Sequence, residues 1–234
     1  MNLTKKTAHL AGILYLIVVI TGIFNLLYVP SKLIVWSNAA TTFDNIVAHE
    51  TLFRLGILAA VVCYITFMFL PIVLYKLLSP VNKNHAVAMV ALAVVSVPIS
   101  LVNLLNKFSV LTLVGKPNYL ATIQTEQLQT QVMLHLEYYN NGIDLLTIFW
   151  GLWLLPFGYL VFKSGFLPKI LGVLLMAGCF GYVINFTGSF LYPHYSKLGI
   201  ATFISLPASI GEISTCLWLL IKGAKVDKAE TALV

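Results

Sequence analysis

The chain has 234 residues, of which 59% are hydrophobic and only 9% are charged, and its formal net charge is +6. A soluble domain carries about 25% charged residues, so this composition excludes an ordinary soluble protein. The cations lie in short segments between apolar runs, not in one basic patch with interleaved aromatic residues. We therefore expect the lipid bilayer, and no nucleic acid, as a partner.

Long apolar runs follow one another along the whole sequence. Each is long enough to cross about 30 Å of hydrocarbon as a helix, which takes about 20 residues. Backbone groups in lipid must be paired internally, which leaves helices or closed barrels, and these runs lack the alternation of barrel strands. The predicted fold class is all-α, a polytopic membrane protein with a bundle of about six transmembrane helices. The predicted spans are 8–28, 51–78, 86–114, 141–162, 170–191 and 200–221.

The segments between the spans differ in character. After the first span we expect a loop over 30–42 and an amphipathic helical lead-in over 43–50. The stretch 115–131 is the most polar part of the chain, and the fourth span can begin a few turns before residue 141. We predict a single transmembrane helical domain over residues 1–221 and a polar cytoplasmic tail over 222–234.

The distribution of Lys and Arg predicts the topology, because cytoplasmic loops carry the excess of these residues. With six spans, nine of the cations fall on one side of the membrane and five on the other. The side with nine includes both ends of the chain. We therefore predict a multi-pass protein of the cell membrane with both termini cytoplasmic.

Three segments carry a resemblance to a known family. They are FWGLWLLPFGYLVFKSGFLPKILGVLLMAGCFGY at 149–182, ETLFRLGILA at 50–59 and LLSPVNK at 77–83. Together they resemble a bacterial integral membrane family, domain-of-unknown-function family 4386, over roughly the first five spans. The resemblance implies a multi-pass membrane protein. It implies no activity, so the function stays open.

Ionisable residues at membrane depth are costly and tend to face the bundle interior. Glu50 and Arg54 are spaced i, i+4 and can form an ion pair on one helix face. This pair either lines a site or holds the entry of the second span. For Arg54 we predict an acidic partner, either Glu50 or Asp144.

Five spans each carry a polar stripe at helical spacing, and we expect these stripes to point inward. They line a predicted polar cavity that opens outward, although Ser and Thr at such positions also serve as interhelical hydrogen bonds. The candidate binding residues are Asn25, Glu50, Arg54, Asn103, Asp144, Asn185 and Glu212.

Glu212 lies near the middle of the sixth span. We predict that it faces other helices and is protonated or paired there, with Asn103 or Asn185 as a hydrogen-bonding neighbour. The opposite face of this helix, which includes Leu206, Ile213 and Leu217, is apolar and suits lipid.

Motifs for metal, nucleotide or nucleophile chemistry are missing from the sequence. His49, His135 and His194 fall on the outer side, but there is no HExxH pair. There is also no GxSxG, GxGxxG or GxxxxGK[ST] segment. We predict no metal and no cofactor, and we leave the catalytic residues and the oligomeric state open.

Three functions remain at this point. The preferred one is the binding or transport of a small solute or lipid through the outward-facing polar cavity. The alternatives are an intramembrane enzyme, such as a lipid or headgroup hydrolase using Asp144, Glu212 and a histidine, and a non-catalytic membrane partner or sensor subunit.

Overall fold

The computed structural model describes residues 3–224, and this part of the chain is helical without a strand. Residues 225–234 of the predicted tail lie outside the described residues. The helices are α1 (Leu3–Ile23), α2 (Val29–Leu33), α3 (Ala39–Ala48), α4 (Glu50–Leu78), α5 (Lys83–Asn103), α6 (Leu105–Gly115), α7 (Thr125–Leu152), α8 (Leu154–Lys163), α9 (Lys169–Leu191) and α10 (Ile200–Ile221).

Six helical stretches of the described residues are long and apolar enough to cross a membrane, which confirms the predicted fold class. The fourth is much longer than its apolar core, since its polar beginning is also helical from Thr125 onward. The six stretches are Lys5–Leu33, Glu50–Leu78, Lys83–Gly115, Thr125–Lys163, Lys169–Leu191 and Ile200–Ile221.

Three of these stretches are interrupted, and the local sequence explains the interruption between α7 and α8. Pro156 lacks an N–H, so the carbonyl of Leu152 has no i+4 partner, and α7 ends at Leu152. The first stretch changes to a π-helical turn at Phe24–Tyr28 before it continues as α2. The third stretch breaks at Leu104, between α5 and α6.

The loop predicted over 30–42 is shorter in the structure. Pro30 lies in the first turn of α2, directly after the π-helical turn, and helix continues past it to Leu33. The predicted lead-in is the helix α3, and it begins earlier than residue 43. Its start is fixed by Asn38, whose side chain accepts a hydrogen bond from the Thr41 amide at 2.9 Å.

The chain divides into two compact units. The first comprises the described parts of Met1–Ile17, Thr66–Val97 and Leu145–Val234, and the second comprises Val18–Ile65 and Pro98–Asp144. The single transmembrane domain predicted for residues 1–221 stays a prediction.

Small residues let the helices of the first unit approach closely. A Cβ added to Gly172 of α9 would lie 2.6 Å from the carbonyl oxygen of Gly158 in α8, and one added to Gly178 would lie 2.7 Å from the Ala208 backbone of α10. Such small-residue contacts are typical of helix packing in membranes. The core next to them holds Trp153, which stacks on Phe157 with ring centroids 5.1 Å apart.

The second unit fixes the segment between the first two spans against its neighbours. Thr42 of α3 is fully buried, and its hydroxyl bonds both the amide and the carbonyl of Val35, at 2.9 and 3.0 Å. Leu33 and Ile46 are buried beside it. This segment is therefore ordered by its own hydrogen bonds and is not a free loop.

Candidate functional site

A buried lysine is the centre of the main polar group in the second unit. Lys107 Nζ donates to Asn25 Oδ1 at 2.6 Å and lies 4.2 Å from the centroid of the Tyr139 ring. Asn25 Nδ2 donates to Tyr139 Oη at 3.1 Å, and Tyr139 Oη shares a hydrogen bond of 3.2 Å with Tyr64 Oη. We call these four residues the Lys107 cluster. None of them is more than 7% exposed.

Irregular helix geometry accompanies the positions of two members of this cluster. Asn25 is the buried residue of the π-helical turn Phe24–Tyr28, and π turns insert an extra residue that redirects side chains, often at functional sites. Lys107 lies in the first turn of α6, directly after the break at Leu104. The cluster is thus built where two spans depart from regular α-helix.

The charge of Lys107 is only partly compensated by this surrounding. An ammonium group has three donors and no acceptor. The partners of the Lys107 ammonium are one amide oxygen and the face of one aromatic ring. Among the residues that the structure describes, no carboxylate lies within ion-pair distance of Nζ. A buried charge is expensive unless it is paired, so the charged form of Lys107 is unfavourable with these partners alone.

Asn103 lies beside this cluster and joins two helices. Its Nδ2 donates to the Tyr139 carbonyl at 2.9 Å, and its Oδ1 accepts from Asn106 at 3.2 Å. Gly142 makes this contact possible, because a Cβ at that position would overlap the Asn103 amide. The hydrogen bonds of Asn103 therefore support packing of α5 against α7.

Arg54 forms an ion pair with Glu50, with Nη2 2.6 Å from Oε1. The predicted acidic partner of Arg54 is confirmed. The pair is not buried, however, since the side chain of Arg54 is 60% exposed and that of Glu50 is 39% exposed. The pair therefore lies on the surface at the start of α4 and does not line a buried cavity. Exposed pairs of this kind contribute little to stability.

Asp144 is exposed, and so are Glu137 and Asn141, which share its predicted polar stripe at helical spacing. Gly151, further along the same stripe, is buried, and the expectation that the stripe lines a cavity stays a prediction. A second stripe on α7, which is apolar and aromatic, is buried along most of the helix. Its buried members are Leu128, Val132, Leu136, Tyr139 and Leu146.

Glu212 is the centre of the polar group in the first unit. Its Oε1 accepts from Tyr15 Oη at 3.2 Å, and its Oε2 accepts from Tyr182 Oη at 3.5 Å. We call these three residues the Glu212 cluster. Tyr15 is only 2% exposed, and Tyr182 lies against Gly151, where an added Cβ would be 2.5 Å from the tyrosine Cβ. Glu212 itself is partly buried.

The prediction that Glu212 faces other helices is confirmed, because its partners come from α1 and α9. The predicted partners Asn103 and Asn185 are wrong, and two tyrosines take their place. The opposite face of α10 is exposed as predicted at Leu206, Ile213 and Leu217. The protonation state of Glu212 stays a prediction.

Asn185 fixes the connection between α9 and α10. Its Nδ2 donates to the Ala201 carbonyl at 3.1 Å and to Ser205 Oγ at 3.3 Å. Its Oδ1 accepts from Tyr195 Oη at 2.7 Å. With all its polar atoms engaged in this way, Asn185 is part of the packing of this connection.

No group of three or more His, Cys, Asp or Glu side chains within residues 3–224 is arranged to hold a metal ion. The three cysteines, Cys63, Cys179 and Cys216, are free and buried.

Comparison with known proteins places the chain in a family. The model of a family described as "Domain of unknown function (DUF4386)" matches residues 10–223. The chain belongs to this family. It is also 37% identical over 86 residues to an "Uncharacterized protein" of Archaeoglobus fulgidus, a match that covers 37% of this chain and 49% of that protein. The chain thus spans about half the length of this curated relative. No solved structure matches the chain.

Family membership confirms the resemblance seen in the sequence. Together with the six apolar helices, it supports an integral membrane protein of an uncharacterised family. Neither the family nor the relative carries an activity to transfer, so the side-chain geometry is the basis for any functional proposal.

Sequence reasoning missed several members of both clusters. In the sequence, Lys107 is one of the cations that predict the topology, although it also ends a polar stripe at helical spacing. Tyr139 lies before the predicted start of the fourth span, where aromatic residues are common at the membrane interface, but it is buried. One signal was available for Tyr139, which continues the apolar stripe of α7. Tyr15 and Tyr182 each contribute a single hydroxyl group within an apolar run. No local sequence pattern distinguishes them from tyrosines without a role in a polar cluster.

Proposed function

We propose that this membrane protein binds an anionic group, on a small solute or a lipid headgroup, at the Lys107 cluster. The observation that carries the proposal is the buried ammonium of Lys107, which has an amide oxygen and an aromatic ring as partners but no carboxylate among the described residues. An incoming carboxylate or phosphate would use its free donors and compensate its charge.

The location of the cluster fits the outward-facing site expected from the sequence. Lys107 lies in the last third of the span Lys83–Gly115, the end assigned to the outer side by the Lys and Arg distribution. Asn25 of the predicted cavity belongs to the cluster. Asn103, which bonds the backbone of Tyr139, adjoins it.

Stabilisation by ligand tests this proposal. Purified protein in detergent is melted with increasing inorganic phosphate, with short-chain phosphatidylglycerol, or with short-chain phosphatidylcholine at matched ionic strength. We expect one of the anionic ligands to raise the Tm in proportion to the logarithm of its concentration, and the zwitterionic lipid to leave the Tm unchanged. Phosphate as the active ligand identifies a solute site, and phosphatidylglycerol alone identifies a lipid site.

Substitutions of Lys107 test whether its charge is responsible for the rise in Tm. Lys107→Gln should abolish the ligand-dependent rise in Tm, while Lys107→Arg should retain part of it. The matched control is Lys116→Gln, which removes one exposed cation near the end of the same span and should leave the rise intact. Equal responses of Lys107→Gln and Lys116→Gln would show that the effect is general electrostatic attraction and would refute the site.

The hydrolase alternative lacks a supporting observation. Glu212 is bonded by two tyrosines, and no histidine of the described residues hydrogen bonds to it.

A further inference from the structure

The Glu212 cluster is not used by the proposed anion site and presents a different chemistry. The groups that hydrogen bond to the carboxyl come from two other helices, Tyr15 from α1 and Tyr182 from α9. Cys216 lies one turn further along α10. The Cys216 thiol is engaged with the Gly12 carbonyl at 3.8 Å. Among the residues whose side chains the structure describes, no lysine, arginine or histidine is close enough to Glu212 for an ion pair.

All three members of the cluster lie far from the ends of their spans. Glu212 has 12 residues of α10 before it and 9 after it. At 1.5 Å per residue, it is about 14 Å along the helix from the nearer end. Tyr15 and Tyr182 lie at least about 14 Å from the ends of the spans Lys5–Leu33 and Lys169–Leu191 by the same measure. The carboxyl therefore lies near the middle of the apolar helix α10 along its length.

Two phenol groups suit a carboxyl that changes its charge. A phenol hydroxyl both donates and accepts, whereas an ionised carboxylate only accepts and a protonated one also donates. Tyr15 and Tyr182 each reach a different carboxyl oxygen. They can therefore donate to the charged form, and one of them can accept from the neutral form.

We propose that Glu212 is a reversible proton-binding site inside the membrane, and that Tyr15 and Tyr182 hydrogen bond both its charged and its neutral form. This goes beyond the proposed anion binding and rests on other residues. Ionisable residues inside membrane spans commonly form proton relays and ion pathways.

The step is a simple proton transfer. A hydronium ion gives one proton to a carboxylate oxygen, a new O–H bond forms, and one neutral water leaves. The site changes from charge −1 to 0. The new O–H donates to Tyr182 Oη, whose own hydroxyl hydrogen rotates away from the carboxyl. Tyr182 is the better candidate for this rotation because its contact of 3.5 Å is longer and weaker than the 3.2 Å contact of Tyr15. Release reverses each of these changes.

A proton fits this site better than a hard metal cation. Magnesium takes an octahedral shell and calcium takes about 6–8 oxygen ligands. The cluster offers at most four oxygens from its side chains, two of the carboxyl group and two phenol oxygens, which is fewer than either shell requires. A proton needs a single oxygen.

Infrared difference spectroscopy of the full protein in liposomes tests the proposal directly. The spectrum at each pH is referenced to the highest pH, and the C=O stretching band of protonated carboxyl groups is followed. We expect a band that grows reversibly on acidification, shifts in heavy water and is missing in Glu212→Gln. The matched control is Glu137→Gln, which removes an exposed carboxyl of α7 and should keep the band. Tyr182→Phe should keep the band at a higher frequency, since a hydrogen bond to the carboxyl is lost.

Three outcomes would overturn the assignment. The first is a Glu212→Gln spectrum identical to that of the unmodified protein. The second is a protonated Glu212 band in the absolute spectra whose intensity is the same at every pH at which the protein stays folded, so that it cancels in the difference spectra. The third is loss of the band on adding sodium at constant pH, which would identify a metal-cation site. Size-exclusion chromatography checks the fold of each variant, and Tyr182→Phe provides a second readout if Glu212→Gln fails to fold.

Discussion

At the scale of single residues, burial separates charges that the sequence presents as equivalent. Arg54 and Lys107 are both cations near the outer ends of predicted spans. Arg54 is 60% exposed and pairs with Glu50 one turn away, whereas Lys107 is 3% exposed and depends on Asn25 from another span. Removing the partner of Arg54 should therefore destabilise the protein slightly, and removing the partner of Lys107 should destabilise it strongly.

This contrast gives a prediction for stability. Glu50→Gln should lower the free energy of unfolding by about 0–1 kcal/mol, the usual contribution of an exposed ion pair. Asn25→Leu should lower it by more than about 1–3 kcal/mol, because it leaves a charged donor buried without its acceptor. Thermal unfolding in detergent measures both. A Glu50→Gln loss as large as that of Asn25→Leu would contradict the burial difference.

At the scale of helices, glycine decides how closely neighbouring elements pack. Gly158 and Gly172 bring α8 and α9 to backbone contact, and both lie in the segment that carries the family resemblance. Hydrophobic attraction does not drive helix association in lipid, so close van der Waals packing carries much of it.

Adding one methyl group at two glycines tests this packing. A Cβ at Gly172 would lie 2.6 Å from the Gly158 carbonyl oxygen, whereas a Cβ at Gly115 would meet nothing within 4 Å. Gly172→Ala should destabilise by about 1–3 kcal/mol through overpacking, and Gly115→Ala should be neutral or slightly stabilising. Tm values in the same detergent compare the two. Similar values for both variants would show that α8 and α9 separate without cost.

At the scale of the whole molecule, the predicted orientation in the membrane puts the Lys107 cluster on the outer side. The prediction rests on nine cations on one side against five on the other and on the even number of spans. A labelling experiment can measure this orientation directly.

Labelling with a membrane-impermeant thiol reagent makes that measurement. A cysteine at Asn118, an exposed residue between α6 and α7, should react from outside, and one at Lys163, an exposed residue at the end of α8, should react only after the membrane is opened. The buried native cysteines provide a low background. The reverse pattern would place the Lys107 cluster on the cytoplasmic side.

The sequence by itself determined the all-α membrane fold, the approximate spans and the family. These follow from apolar runs of about bilayer length, which are local in the chain. The sixth span was predicted at roughly 200–221 and is Ile200–Ile221 in the structure. The fourth helical stretch begins at Thr125, several turns before residue 141, because its polar beginning is also helical.

Only the tertiary structure decided which polar residues meet. The stripe of Asp144 and the stripe of Tyr139 have the same helical period, and which one is buried depends on the packing of neighbouring helices. Lys107 meets Asn25 across 82 residues of sequence, and Tyr15 meets Glu212 across 197. Periodicity fixes which residues share a helix face, but contacts between spans are set by helix rotation and close packing, which no single segment encodes.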